Sequence, residues 1–142
     1  PLSGVSVDIR DGRIAISGAV LANGLRPEFL TSDLGEIRDG KVYVTGRADR
    51  VIISGGHKVS LEAIEAKAAE FAGVNEVAAA AIATSWGESV GLVYSGAQEV
   101  DFAALEQLSV AAKPHRILCV AELPRLISGK ADLVAIAKLL SE

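Results

Sequence analysis

The chain has 142 residues, 50% of them hydrophobic and 4% aromatic, so Val, Ile, Leu and Ala must fill its core. That length suits one ordinary domain, or one small domain with an appendage. The net charge of -4 argues against a general nucleic-acid or membrane-surface binder, which needs a basic field.

Residues 5–18, VSVDIRDGRIAISG, alternate apolar and polar on both sides of Asp11-Gly12. Asp-Gly accepts the positive φ angles of a two-residue turn, so the stretch predicts a β-hairpin. EIRDGKVYVT, residues 36–45, repeats the device around Asp39-Gly40. Between them LANGLRPEFLTSDLG, residues 21–35, reads as loop, broken at Asn-Gly and Arg-Pro. Residues 1–45 are thus β-rich and too thin for a good core of their own.

From Val51 the pattern changes. VII predicts a short buried strand and SGGHK a loop. Ser60 can cap a helix through LEAIEAKAAEF, with Leu61, Ile64, Ala68 and Phe71 on one face. Gly73 can stop it. EVAAAAIAT and SVGLVYSG predict two strands, joined by a turn at Trp86-Gly87-Glu88. Asp101 can cap a second helix, FAALEQLSVAA, with Phe102, Leu105 and Leu108 inward and Pro114 at its end. RILCVAEL predicts another strand, PRLISGK a loop and DLVAIAKLL a closing helix. The order β-α-β-β-α-β-α predicts an α+β fold: a small mixed sheet flanked by helices, of split βαβ type, preceded by β-hairpins. The boundary falls near residues 46–50.

No apolar run reaches the ~18 residues of a membrane span, and no signal-peptide pattern opens the chain. The single cysteine, Cys119, cannot form an internal disulfide, which fits a reducing cytoplasm. In its apolar run it reads as a small buried hydrophobe rather than a nucleophile. The chain begins at Pro1 and contains no methionine. Its first residues read as mid-domain strand, so a piece of a longer polypeptide is expected.

The stretch GRADRVIISGGHKVSLEAIEA, residues 46–66, carries more than a strand, a turn and a helix require. Gly55 and Gly56 have no side chains, so a ligand's chain could pass close to the backbone, with His57 and Lys58 beside it. A tight turn with exposed polar residues is the plainer reading. Arg47 and Asp49 could pair with one another at the surface, and Asp33 could be a turn residue making an Asx-type bond. Lys130 follows Ser128-Gly129 in a loop that can present a point charge to a phosphate, though on spacing alone a solvated surface lysine is the plainer reading. No residue set has metal-ligand spacing, and no GxGxxG or GxxxxGK[ST] loop joins a strand to a helix.

Taken together and in order, these segments resemble the adenylate-forming enzymes: acyl-CoA synthetases, luciferases and peptide-synthetase adenylation domains. TSDLG looks like that family's Thr-Gly-Asp motif. GRADRVIISGGHKVSLEAIE looks like its Gly-Arg-x-Asp…Gly-x-(Arg/Lys)-(Ile/Val)…Ile-Glu motif. WGESVGLVYS resembles its Gly-Glu followed by a strand, and LPRLISGKAD its Leu-Pro…Ser-Gly-Lys-(Ile)-Asp ending. The four motifs cover residues 31–132. Ser32, Ala63 and Ala131 stand where the family usually has Gly, Glu and Ile.

The resemblance implies an AMP-forming acid–thiol ligase that uses ATP, CoA and Mg2+. In such enzymes a large N-terminal domain holds the ATP phosphates, most of the metal's contacts and the carboxylic acid, and a small C-terminal domain closes over it. Residues 1–48 would be the β-rich end of that large domain, and residues 49–142 the mobile domain, packed on the large domain of its own chain. By the same resemblance Asp33 would accept hydrogen bonds from the ribose hydroxyls of ATP, and Arg47 would donate to the same region. Asp49 would be the hinge. Lys130 would be catalytic in adenylation, and the loop Ser54, Gly55, Gly56, His57 and Lys58 would line the path of CoA to the thioester. Its partners would be a small carboxylic acid, ATP and CoA, with no nucleic acid and no membrane. Two other readings compete. One is a free-standing ferredoxin-like domain that binds a small regulatory ligand, which leaves Lys130, Arg47 and Asp33 without a purpose. The other keeps the family but makes the acceptor a carrier-protein thiol.

Overall fold

A computed structural model describes residues 3–19, 21, 27–102, 105 and 109–142. The chain divides into two compact units, Pro1–Arg50 and Val51–Glu142.

The first unit is an antiparallel meander of four strands: β1 (Val5–Arg10), β2 (Arg13–Gly18), β3 (Glu28–Arg38) and β4 (Lys41–Arg47). Both Asp-Gly hairpins form as the sequence predicts. Asp11 and Asp39 take φ of 52° and 50°, and Gly12 and Gly40 follow at 78° and 71°. Two successive left-handed residues give the turn the twist that the flanking strands need. The segment expected to be loop behaves differently. Residues 22–26 lie outside the described residues, but EFLTSDLG is strand. Its turn-like composition is tolerated because side chains serve the backbone where the ladder slips. The β2–β3 register shifts between Arg13 and Ala15. There the Thr31 hydroxyl donates to the Ile14 carbonyl (2.8 Å), and Arg13 Nε donates to the Thr31 carbonyl (2.6 Å). Gly35 is equally specific: a Cβ there would lie 2.7 Å from Ile14 Cγ1 and 2.8 Å from the Tyr43 carbonyl oxygen. Among the described residues of this unit only Ile14 and Ala15 are buried hydrophobics, a thin core for four strands.

The second unit opens with a hairpin, β5 (Val51–Ser54) and β6 (His57–Ser60). SGGHK is therefore a two-residue turn between paired strands rather than a loop. VII is only partly inward: Ile52 is buried while Ile53 faces outward, as strand alternation requires. Helix α1 (Leu61–Ala68) follows directly. The Ser60 hydroxyl accepts the Ala63 N–H at 3.2 Å, which satisfies one of the open donors of the first turn. Leu61, Ile64 and Ala68 are buried on the predicted face, with Phe71 packed against them.

Strands β7 (Val74–Thr84), β8 (Gly87–Gly96) and β9 (Pro114–Val120) make a mixed sheet of order β7-β8-β9. β7 and β8 are antiparallel, and β8 and β9 parallel. The tight turn is at Ser85-Trp86, and Gly87 and Glu88 already belong to β8. Successive residues feed opposite faces. Ala79, Val90 and Leu92 join α1 and the β5–β6 hairpin. Ala78, Ala80, Ile82 and Val93 join helix α2 (Leu133–Ser141) through Ile136 and Leu140. Asp132 caps α2 by accepting the Val134 and Ala135 N–H groups, each at 3.1 Å. β7 is an edge strand, and the Glu65 carboxylate accepts its Ala79 N–H at 2.7 Å. This agrees with the predicted α+β class.

Much of the expected second helix, residues 103–104 and 106–108 with Leu108, lies outside the described residues. Leu105 is buried in the first core cluster, and Phe102 packs beside it, 5.1 Å from the Phe71 ring and 5.2 Å from Tyr94. Val110–Ala112 form a 3-10 turn. Cys119 is half-buried rather than buried. Among the described residues no helix is long and apolar enough to cross a membrane.

Gly91 is where α2 meets the sheet. A Cβ at this position would lie 2.8 Å from Leu140 Cδ1 and 3.0 Å from Ile82 Cγ2. Both side chains are buried and cannot swing away. Gly91→Val should therefore destabilise the unit by about 1–3 kcal/mol, read as a lower urea midpoint by circular dichroism. An unchanged midpoint would mean the helix does not seat here.

Candidate functional site

Three groups of the predicted residues can be built up separately. In the first unit, Asp33 on β3 and Arg47 on β4 are direct cross-strand partners. Directly opposite residues project to the same face of a sheet, and the register shifts just beyond them, between Leu34 and Gly35. Arg47 Nη1 donates to Asp33 Oδ1 at 3.1 Å. The chain then tightens into a 3-10 turn, Ala48–Arg50, which brings Asp49 back onto the same guanidinium. Arg47 Nε and Nη2 donate to its two carboxylate oxygens at 2.9 and 2.6 Å. The expected surface pairing of Arg47 with Asp49 exists, and Asp33 joins it. Asp33 makes no Asx turn; it is a strand residue whose own N–H donates to the Thr31 hydroxyl at 3.1 Å. The hydrogen bond from Arg47, with its positive charge, holds the Asp49 carboxyl below the usual carboxylate range. All three side chains are about half exposed, so the cluster is worth little to stability. What it does provide is a fixed carboxylate. Asp33 Oδ2 meets no donor among the described residues and can accept one from a ligand.

In the second unit, Gly55 and Gly56 form the turn of the β5–β6 hairpin with φ of 53° and 80°. A Cβ at Gly56 would meet nothing within 4 Å, so the backbone there is open. His57 and Lys58 are both exposed, but they are successive strand residues and point to opposite sides. His57 lines a shallow cavity of about 470 Å³ with Ser54, Gly55 and Val110. Lys58 lines another, of about 200 Å³, with Lys67. The two side chains thus open onto different cavities.

Lys130 sits in a shaped loop. Arg125 and Ala131 form an antiparallel bridge across it. The Leu126 N–H donates to the Lys130 carbonyl and the Gly129 N–H to the Leu126 carbonyl, both at 2.8 Å. Gly129 takes φ of 81°. Ala131, where the family usually has Ile, is half-buried against the second core cluster. The Lys130 side chain is exposed, and no carboxylate among the described residues pairs with it. It is free to meet an anion.

The two loops of this unit lie at opposite ends of one sheet. The Gly55 turn borders a cavity of about 810 Å³, shared with Thr84, Trp86 and His115 at the β7–β8 turn. The Lys130 loop is tied through Arg125 to Glu76 near the start of β7. From Glu76 to Thr84, at about 3.4 Å per residue, the ends are roughly 27 Å apart. Sequence reading assigned no role to Trp86, His115, Arg125 or Glu76. The sequence does carry two signals: the single tryptophan at the Trp86-Gly87 turn, and Arg125 within LPRLISGKAD. Among the described residues no group of three His, Cys, Asp or Glu side chains converges as a metal site would need.

No protein-family model matches the chain. It is 33% identical over 97% of its length to a probable 2-succinylbenzoate–CoA ligase of Mycobacterium tuberculosis, and spans 42% of that relative. It is 32% identical over 75% of its length to a fatty acid–[acyl-carrier-protein] ligase of Mycobacterium marinum, spanning 23% of it. Its fold matches ATP-bound MatB of Rhodopseudomonas palustris over 96% of this chain and 34% of that one, with a TM-score of 0.81 at 25% identity. The chain thus spans less than half the length of the relatives it matches. Its motifs, fold and relatives agree: the chain matches the C-terminal portion of the adenylate-forming enzymes to which acyl-CoA synthetases belong.

Proposed function

We propose that the chain is the C-terminal portion of an ATP-dependent carboxylic acid–CoA ligase, with residues 1–48 ending the large domain and 49–142 forming the mobile one. The single observation that carries this reading is the placement of Lys130 and the Gly55-Gly56 turn at opposite ends of one small sheet. A reaction in two halves needs two faces. In the first half a carboxylate oxygen attacks the α-phosphorus of ATP and pyrophosphate leaves. Negative charge gathers on the phosphate oxygens, and the unpaired Lys130 ammonium neutralises it. Asp33 accepts from the ribose hydroxyls, and Arg47 holds Asp33 in place. In the second half the unit turns about Asp49, which lies just before the division at Arg50. The open backbone at Gly55 and Gly56 then admits the pantetheine arm. The thiol sulfur attacks the acyl carbonyl, AMP leaves with the bonding pair, and the thiol proton passes to solvent. Mg2+ would be held by the phosphates and by residues outside this chain.

The finer assignment is to o-succinylbenzoate as the acid, in menaquinone synthesis. It rests on VIISGG, on the compact ending and on the 33% identity to the mycobacterial ligase. A second reading, with a carrier-protein thiol as acceptor, is favoured by the match to the acyl-carrier-protein ligase. Both predict that the pure 142-residue chain shows no ATP–pyrophosphate exchange with any carboxylic acid, because the phosphate loop and acid pocket would lie in the large domain. Robust exchange by the chain alone would overturn its assignment as a portion of the enzyme. The whole ligase should release AMP with o-succinylbenzoate and CoA. Release with a phosphopantetheinyl protein and a fatty acid instead would favour the second reading, and no AMP release with any acid would overturn both.

A further inference from the structure

We propose that Arg125, anchored by Glu76, is a positioning residue that aims Lys130. The inference rests on the reading of Lys130 as the adenylation lysine. Lys130 has no side-chain partner among the described residues, so what the fold fixes is its backbone and with it the direction in which the side chain leaves the loop. The two peptide groups flanking its Cα are both held. The carbonyl of Gly129, on the N-terminal side, accepts Arg125 Nη1 at 2.6 Å. The carbonyl of Lys130 itself accepts the Leu126 N–H at 2.8 Å. Arg125 also bridges Ala131 through its backbone. Arg125 Nη2 pairs with Glu76 Oε1, 49 residues away in sequence. Glu76 stands beside a register shift near the start of β7. One planar guanidinium therefore joins the loop to the rigid sheet, using one nitrogen for each. A lysine has one nitrogen to share between the two acceptors and cannot reproduce this fork. Gly129, with its positive φ, would otherwise be the loosest joint in the loop.

Two measurements test this. The first uses the 142-residue chain and follows amide hydrogen exchange at Leu126, Gly129 and Asp132, whose N–H groups close the loop. Arg125→Ala should raise their exchange roughly tenfold and leave Leu92 and Val93 in the sheet unchanged. Glu76→Gln should move the same amides in the same direction. The second uses the whole ligase. Arg125→Ala should lower the rate of acyl-adenylate formation by about 10- to 100-fold, with thioester formation from supplied acyl-adenylate unchanged and Arg125→Lys intermediate. A merely structural role would lower both half-reactions together. Unchanged loop exchange in Arg125→Ala would overturn the positioning role, whatever the function. A loosened loop with full adenylation would overturn it too, provided Lys130→Ala is impaired. If Lys130→Ala itself adenylates normally, the reading of Lys130 fails and takes this inference with it.

Discussion

Lys130→Ala in the whole ligase should cut acyl-adenylate formation by roughly 10²–10³, the usual effect of losing one preorganised charge contact. Thioester formation from supplied acyl-adenylate should stay nearly intact, since the lysine acts only in the first half-reaction. Stability should not change. Lys130 is exposed and packs no core, so its removal leaves no cavity and no orphaned partner among the described residues. Pyrophosphate exchange measures the first step and single-turnover thiol transfer the second. A loss of equal size in both would place Lys130 outside the role given to it.

Gly56→Leu should do the reverse. The position is open, with nothing within 4 Å of a Cβ, so a side chain can start there without a clash at its root. It would obstruct the thiol's path, slowing transfer by roughly 10²-fold while adenylation proceeds. The left-handed φ of 80° adds a backbone cost of about 1–2 kcal/mol, so a control is needed. Gly56→Asn keeps that conformation more readily and separates strain from obstruction. If the leucine and alanine variants damaged the same half-reaction, the division of labour between the two ends of the sheet would be wrong.

Some of this was readable from the residues and some was not. The Asp-Gly hairpins, the Ser60 cap and the strands β7 and β8 are local devices, encoded within a few residues of where they act. β3 was illegible for a physical reason. Thr31, Ser32, Asp33 and Gly35 have the composition of a turn, yet they are strand, paired on both sides, with Thr31 and Arg13 side chains bonding the backbone where the ladder slips. The break at Gly55-Gly56 is legible as a loop, but the strand that follows it is not, because His57 and Lys58 are exposed and polar. Roles for Asp33, Arg47, Asp49 and Lys130 came from resemblance. Their connections did not: Asp33 and Arg47 are 14 residues apart, and Arg125 and Glu76 are 49. Spacing along a sequence carries no trace of such pairs.

Trp86 bears on how any of this is measured. It is the chain's single tryptophan and is 92% exposed at the tip of the β7–β8 turn. An indole already in water changes its emission little when the chain unfolds. Tryptophan fluorescence of the 142-residue chain will therefore be nearly blind to its denaturation. The same indole borders the 810 Å³ cavity beside Gly55. A blue shift or quench would thus report something arriving at that end of the sheet, against a background that folding does not disturb.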